Sequence, residues 1–174
     1  MRETKKITLS AMLVALGVVF MLLGAVVDVL DLSVCALASL LVVFAYLEIG
    51  SPYTWLVWMC TSVISFIIFP GKALWIEYLL IFGIYPLLKA YIERLPRKFW
   101  LIVKLVYANA VIFLLSYFVK LIFKMPLVES EIPWMVPVMY VLMNVAFVAY
   151  DLFITVMVRF YLGKFRNKIK HLLK

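Results

Sequence analysis

The sequence predicts an all-α, polytopic membrane protein with six transmembrane helices and both termini in the cytoplasm. Hydrophobic residues make up 68% of its 174 residues, whereas a soluble domain usually has about 45–50%. Its apolar residues also run continuously rather than alternating, which favours helices over a barrel. Since about 20 apolar residues cross the hydrocarbon core as a helix, we expect one domain, 1–174, with a basic tail at about 161–174. The candidate helices cover about 7–27, 32–48, 53–70, 73–92, 99–123 and 134–160.

The boundaries of the first three helices follow from local signals. A basic start and an apolar run give 7–27 the outline of a signal peptide, but the run is long and no clear A-x-A site follows it. We therefore expect a retained transmembrane helix. Between the second and third helices, Gly50, Ser51 and Pro52 supply a helix stop, an N-cap and a first-turn proline, in that order.

Prolines mark the boundaries of the last three helices. Pro70-Gly71 separates the third helix from the fourth, and Leu95-Pro96 interrupts the charged loop that follows. The loop between the fifth and sixth helices lies between Pro126 and Pro133. Pro86 falls inside the fourth helix, where we expect it to produce a kink.

The basic residues predict the orientation. Of 17 lysines and arginines, all but Lys72, Lys120 and Lys124 fall at the N-terminus, around the loop between helices four and five, or at the C-terminal end. Six crossings place these three regions on one side, which the positive-inside rule assigns to the cytoplasm. Five or seven crossings would divide them between both sides. The net charge of +8 therefore indicates membrane orientation, and we expect no nucleic-acid partner.

Polar residues at membrane depth predict a binding pocket that opens outward. The spacing of Asn109, Ser116 and Lys120 puts them on one face of the fifth helix, and Tyr140 and Asn144 share a face of the sixth. Hydrogen bonds between neighbouring helices are the structural alternative, and each contributes about 0.6 kcal/mol. The predicted substrate-binding residues are Trp75, Glu77, Tyr78, Asn109, Ser116, Lys120, Tyr140 and Asn144.

One further acid, Asp151, lies deeper in the sixth helix. It could pair with Arg159, contact a partner or carry protons. A single carboxylate is a poor basis for a proton path, so we favour a structural or partner role.

The sequence contains no catalytic or metal-binding pattern. It has no H-E-x-x-H, G-x-S-x-G or P-loop motif and no paired intramembrane aspartates, so we expect no enzyme activity and no cofactor. Cys35 and Cys60 lie in apolar runs and are expected to be small buried side chains rather than metal ligands. The one histidine, His171, lies in the basic tail, where we expect it to be solvated.

Small residues recur in the first helix, KKITLSAMLVALGVV at residues 5–19. Ala11 and Ala15 lie on one face with Thr8, within about 60° of one another on an ideal helix. Ser10, Gly17 and Gly24 form a second strip on a different face. We expect one strip to pack inside the protein and the other to remain available to a partner.

With Lys5-Lys6, Ala11 and Ala15, six helices and cytoplasmic termini, the chain resembles the substrate-binding S component of an energy-coupling factor transporter. The resemblance implies capture of a vitamin or similar small-molecule nutrient at the outer face of a bacterial plasma membrane. It also implies that Ala11 and Ala15 dock on a membrane-embedded coupling protein, which joins the S component to two cytoplasmic ATPases. No riboflavin, thiamin or biotin signature is present. Cobalt and nickel binders of this class have a histidine where Arg2 follows Met1, so we expect no metal substrate.

Two other functions remain open. A non-catalytic scaffold of cell-envelope machinery would also need smooth helix faces, and its side chains would fill the space of the predicted pocket. A proton-coupled carrier is less well supported, because the chain has no evident internal repeat and only one deep acid.

Overall fold

The computed structural model describes residues 3–124 and 134–165, and these residues form helices with no strand among them. This confirms the predicted all-α fold with long apolar helices. The predicted loop that holds Pro126 and Pro133 and the tail residues 166–174 lie outside the described residues. The helices are α1 (Glu3–Val26), α2 (Asp31–Glu48), α3 (Tyr53–Ile68), α4 (Leu74–Ile92, interrupted), α5 (Arg97–Phe123) and α6 (Met135–Phe160).

By length and composition, α1, α2, α4, α5 and α6 could each cross a membrane. The exception is α3, which has 16 residues and is therefore about 24 Å long, shorter than a hydrocarbon core of about 30 Å. It ends at Ile68, because Phe69 leaves the helical conformation just before Pro70. The predicted segment 53–70 is thus two residues longer than the helix at that end.

The fourth helix is interrupted close to Pro86, where the sequence predicts a kink. Proline has no N–H group to donate to the carbonyl of Phe82, four residues earlier. The preceding turns widen, and the Gly83 amide donates to the Tyr78 carbonyl, five residues back, at 2.7 Å. As a result α4 consists of an α-helical turn, a π-helix and a second α-helix: Leu74–Glu77, Tyr78–Phe82 and Tyr85–Ile92.

Gly83 of α4 lies in close contact with Trp58 of α3. A Cβ atom built on it would lie 2.4 Å from Cδ1 of Trp58. The same indole donates its Nε1 hydrogen to the Leu79 carbonyl at 3.3 Å, so the ring cannot withdraw without losing that bond. Only glycine fits at this crossing.

We expect Gly83→Ala to destabilise the protein by about 1–3 kcal/mol, the usual range for overpacking. Gly71→Ala is the matched control, since a Cβ atom there meets nothing within 4 Å. Thermal unfolding in detergent, followed by size-exclusion chromatography, compares the two. Equal midpoints for the two variants would contradict the proposed close approach.

The described chain falls into two compact units. The first unit runs to Leu87 and resumes at Leu152, and the second is Leu88–Asp151. In the first unit, α1 packs on α2 and α3 through the strip of Ser10, Gly17 and Gly24, all of which are buried.

Both glycines of this strip are in tight contact with neighbouring helices. A Cβ atom at Gly17 would lie 3.1 Å from the Thr61 side chain, and one at Gly24 would lie 3.1 Å from Leu74. Thr8, Ala11 and Ala15 are exposed on another side of the same helix. The two strips of α1 therefore have different surroundings, and only one of them is used inside the unit.

Candidate functional site

Three of the predicted binding residues lie at the start of α4, in the first unit. Tyr78 is buried, with 1% of its surface exposed. Trp75 is half-buried, and its ring packs against Phe66 with the centroids 4.7 Å apart. Its indole nitrogen donates to the Pro70 carbonyl at 3.4 Å. Trp75 and Tyr78, close to the third residue, Glu77, in the sequence, are therefore both held by packing within the first unit.

The Glu77 carboxylate has an oxygen, Oε2, that is buried and has no hydrogen-bond partner among the described residues. Asp31, at the start of α2, is near enough to interact with it electrostatically. Two neighbouring acids repel each other in a poorly solvated place, and a buried polar atom without a partner is unfavourable. A donor group, above all a cationic one, would relieve both problems.

Asp31 is a member of this site that the sequence did not single out. Its position in the first turn of α2 is typical of an acid at a helix start, so no spacing rule linked it to Glu77. Cys35, one turn after Asp31 in α2, is fully buried. Its sulfur lies 3.9 Å from both the Met21 sulfur and the Leu74 carbonyl oxygen. Cys60, in contrast, is exposed, so the prediction that both cysteines are buried was wrong for this one.

In the second unit, the two predicted asparagines bind each other. The Asn109 side-chain amide donates to Oδ1 of Asn144 at 3.1 Å, and Asn144 donates back at 3.2 Å. Each amide also donates to the carbonyl four residues earlier in its own helix. These side chains use their hydrogen-bonding groups within the protein, which is the structural alternative raised by the sequence.

A second polar pair lies further along the same helices. Ser116 donates to the Ile112 carbonyl at 2.8 Å, and its Oγ lies 3.5 Å from the Tyr140 hydroxyl. Lys120, one turn beyond, is exposed. The residues of the predicted pocket are divided between the two units, so the pocket itself stays a prediction.

Asp151 is the centre of a network of four charged side chains. Lys104 donates to its two carboxylate oxygens at 2.9 and 3.0 Å, and Lys89 forms an ion pair with Oδ1. Lys89 also donates to the Asp151 backbone carbonyl at 2.7 Å. Glu93 completes the network, 3.2 Å from Lys104 and 3.5 Å from Lys89. We call Lys89, Glu93, Lys104 and Asp151 the ion-pair network.

The ion-pair network answers the question that Asp151 raised in the sequence. Its ion pairs in the second unit are formed with Lys89 and Lys104, two partners that the sequence did not predict. From the sequence, both lysines were interpreted only as positive charges that orient the helices. In the structure, the Lys89 side chain is just 6% exposed and the Lys104 side chain 10% exposed. A cation within a long apolar segment was the available signal for this role.

The ion-pair network and the two neutral pairs link α5 and α6 at three successive levels. These levels extend from Lys104 to Ser116, twelve residues or about 18 Å of helix. We call the three levels the polar seam: Lys104 with Asp151, Asn109 with Asn144, and Ser116 with Tyr140.

No group of three or more metal-binding side chains occurs in residues 3–124 and 134–165. Comparisons of the chain with models of protein families, with curated proteins and with solved structures find no match. The chemistry of the Glu77 site and of the polar seam is therefore the basis for assigning a function.

Proposed function

We propose that this membrane protein is a binding subunit for uptake of a small organic nutrient, which it delivers through a separate ATP-driven coupling module. In this proposal both termini lie in the cytoplasm of a bacterial cell, and Glu77 lies toward the outside. The observation that carries the proposal is the buried, unpartnered Oε2 atom of Glu77 beside Asp31.

The surroundings of Glu77 suit an organic ligand with a donor group. An ammonium, amidinium or similar N–H group would supply the hydrogen bond that the Glu77 Oε2 atom lacks, and would place a positive charge opposite the carboxylate. Trp75, two residues before Glu77 and half-buried, is the aromatic side chain that we expect to contact the ligand. Asp31 and Glu77 thus make a cationic nutrient the favoured class within the proposal.

The surface of α1 supports a membrane-embedded partner. Ser10, Gly17 and Gly24 are buried in the packing of the first unit and cannot contact a partner. Ala11 and Ala15 leave an exposed strip on which the backbone of another helix could approach closely. The resemblance to S components assigns this strip to the coupling protein.

The alternative function is a scaffold, and the hydrogen-bonded side-chain pairs of the second unit support it. The Asn109–Asn144 and Ser116–Tyr140 pairs are satisfied within the protein, as expected of polar groups that hold helices together. The two functions differ in what accompanies the protein. Gentle purification from its native membrane, followed by mass spectrometry, should recover a small molecule and ATPase subunits. Recovery of peptidoglycan enzymes, with neither a small molecule nor an ATPase, would support the scaffold.

We expect Ala11→Trp and Ala15→Trp to leave folding intact and to abolish association with the coupling protein. The exposed strip can accept an indole without disturbing the first unit, whereas a partner helix would be held away. Gly17→Trp is the contrasting variant, because Thr61 leaves no room at that position, and it should fail to fold. Co-purification of the coupling subunits measures the effect. If the two alanine variants retain the subunits in full, the partner docks elsewhere.

A further inference from the structure

The connection between α4 and α5 lies within the second unit and is held by its own hydrogen bonds. After α4 ends, the Arg94 amide donates to the Tyr91 carbonyl at 3.1 Å, and the Leu95 amide donates three residues back in the same way at 3.0 Å. The indole of Trp100, in the first turn of α5, donates to the Leu95 carbonyl at 2.6 Å. The connection is therefore a defined turn rather than a long loop.

This turn combines exposed apolar surface with positive charge. Tyr91 and Leu95 are each 46% exposed, and Phe99 is 55% exposed. Arg94 and Lys98, which precede Leu95 and Phe99 directly in the sequence, are exposed as well. We call Tyr91, Arg94, Leu95, Lys98 and Phe99 the α4–α5 tip.

The two cations of the α4–α5 tip are not neutralised by the protein. Neither Arg94 nor Lys98 forms an ion pair with a carboxylate in residues 3–124 and 134–165. The neighbouring acid, Glu93, is already bound to the two lysines of the ion-pair network. The Arg94 guanidinium lies over the Tyr91 ring, with Cζ 5.1 Å from the ring centroid. A guanidinium held through its face keeps its N–H groups for an acceptor.

The position of the α4–α5 tip indicates what the acceptor is. The tip joins two helices that are each long and apolar enough to cross a membrane, so it lies where the hydrocarbon core ends and the phospholipid headgroups begin. Aromatic side chains and cations with apolar stems favour this layer. The basic flanks of α4 and α5 are predicted to face the cytoplasm, where the leaflet carries anionic lipids.

We propose that the α4–α5 tip binds the headgroup of an anionic phospholipid. Arg94 and Lys98 bind the phosphate, and the guanidinium supplies paired N–H donors that match two phosphate oxygens. Leu95 and Phe99 contact the upper part of the acyl chains. An acidic protein segment could use the cations, but only a lipid also accounts for the exposed apolar side chains at the membrane surface. The site does not involve Glu77 and holds whether the protein is a nutrient binder or a scaffold.

Native mass spectrometry of the purified full-length protein tests this site directly. The protein in detergent is titrated with phosphatidylglycerol and, in parallel, with phosphatidylcholine that has the same acyl chains. A third titration adds inorganic phosphate to the complex with phosphatidylglycerol. We expect phosphatidylglycerol to bind more tightly than phosphatidylcholine, and inorganic phosphate at an equal concentration to leave it bound.

Variants of the two cations identify the site. Arg94→Gln combined with Lys98→Gln should weaken phosphatidylglycerol binding about tenfold, as expected for loss of one charge-assisted hydrogen bond, and should leave phosphatidylcholine binding unchanged. Arg94→Lys should give a smaller loss, since an ammonium keeps the charge but lacks the paired donors. Lys124→Gln, an exposed cation at the other end of α5, is the matched control and should bind both lipids like the unmodified protein.

Four outcomes overturn the proposal. One is unchanged phosphatidylglycerol binding in the double variant, and another is equal binding of the two lipids by the unmodified protein. Displacement of the lipid by inorganic phosphate would assign the tip to a free anion instead. A dimer mass that disappears in the double variant would assign it to a second copy of the chain. Lys98→Gln alone replaces the double variant if that protein is not monodisperse by size-exclusion chromatography, and the same comparisons apply to it.

Discussion

Glu77→Gln is expected to abolish retention of the proposed small-molecule nutrient during purification. A charge-assisted hydrogen bond contributes about 1.5–3 kcal/mol, so its loss lowers affinity about 10- to 150-fold. The amide also removes the repulsion between Glu77 and Asp31, so the protein itself should be no less stable. The measurement is the molar ratio of small molecule to protein by mass spectrometry, with unfolding temperature recorded in parallel.

The interpretation of Glu77→Gln depends on two further variants. Asp31→Asn should weaken retention as well, because it withdraws the second charge from the same donor group. Glu3→Gln removes an exposed acid at the start of α1 and should leave retention unchanged. Full occupancy in both Glu77→Gln and Asp31→Asn would show that the buried carboxylates do not bind the nutrient.

Helix positions were predictable from the sequence because each apolar run is long and each break after the second helix contains proline or glycine. The prediction was weakest where backbone geometry depends on contacts. Pro86 indicated a kink, but the widened turns at Tyr78–Phe82 also depend on the approach of Trp58 to Gly83. Similarly, the early end of α3 follows from the conformation of Phe69, which no propensity rule specifies.

For the polar residues, sequence spacing identified which helix face each one lies on, but not which side chain it binds. The intervals among Asn109, Ser116, Tyr140 and Asn144 put the right residues on shared faces, and these residues meet in pairs. The partners of Asp151 were missed because Lys89 and Lys104 were attributed to the positive-inside pattern. Since a lysine has a long flexible side chain, its position in the sequence does not reveal whether its ammonium group faces water or a carboxylate. Asp31 was missed because its link to Glu77 is entirely tertiary.

Asp151→Leu is expected to destabilise the protein by about 3–5 kcal/mol, the usual cost of breaking a buried ion pair from one side. The loss comes less from the missing attraction than from the two lysines left behind. Lys89 and Lys104 would share the single carboxylate of Glu93, which is already 34% exposed. Leucine itself fits an apolar environment, so the substitution isolates the effect of charge.

A charge-balanced variant distinguishes this account from simple loss of contacts. If unpaired charge is responsible, Lys104→Met combined with Asp151→Leu should recover most of the stability, since one lysine and one carboxylate remain and the new side chains are apolar. If lost hydrogen bonds are responsible, the double variant should be less stable than either single variant. A double-mutant cycle of unfolding free energies in detergent decides between these accounts. A double variant nearly as stable as the natural protein would mean that the ion-pair network adds little net stability, since apolar side chains would hold the helices together equally well.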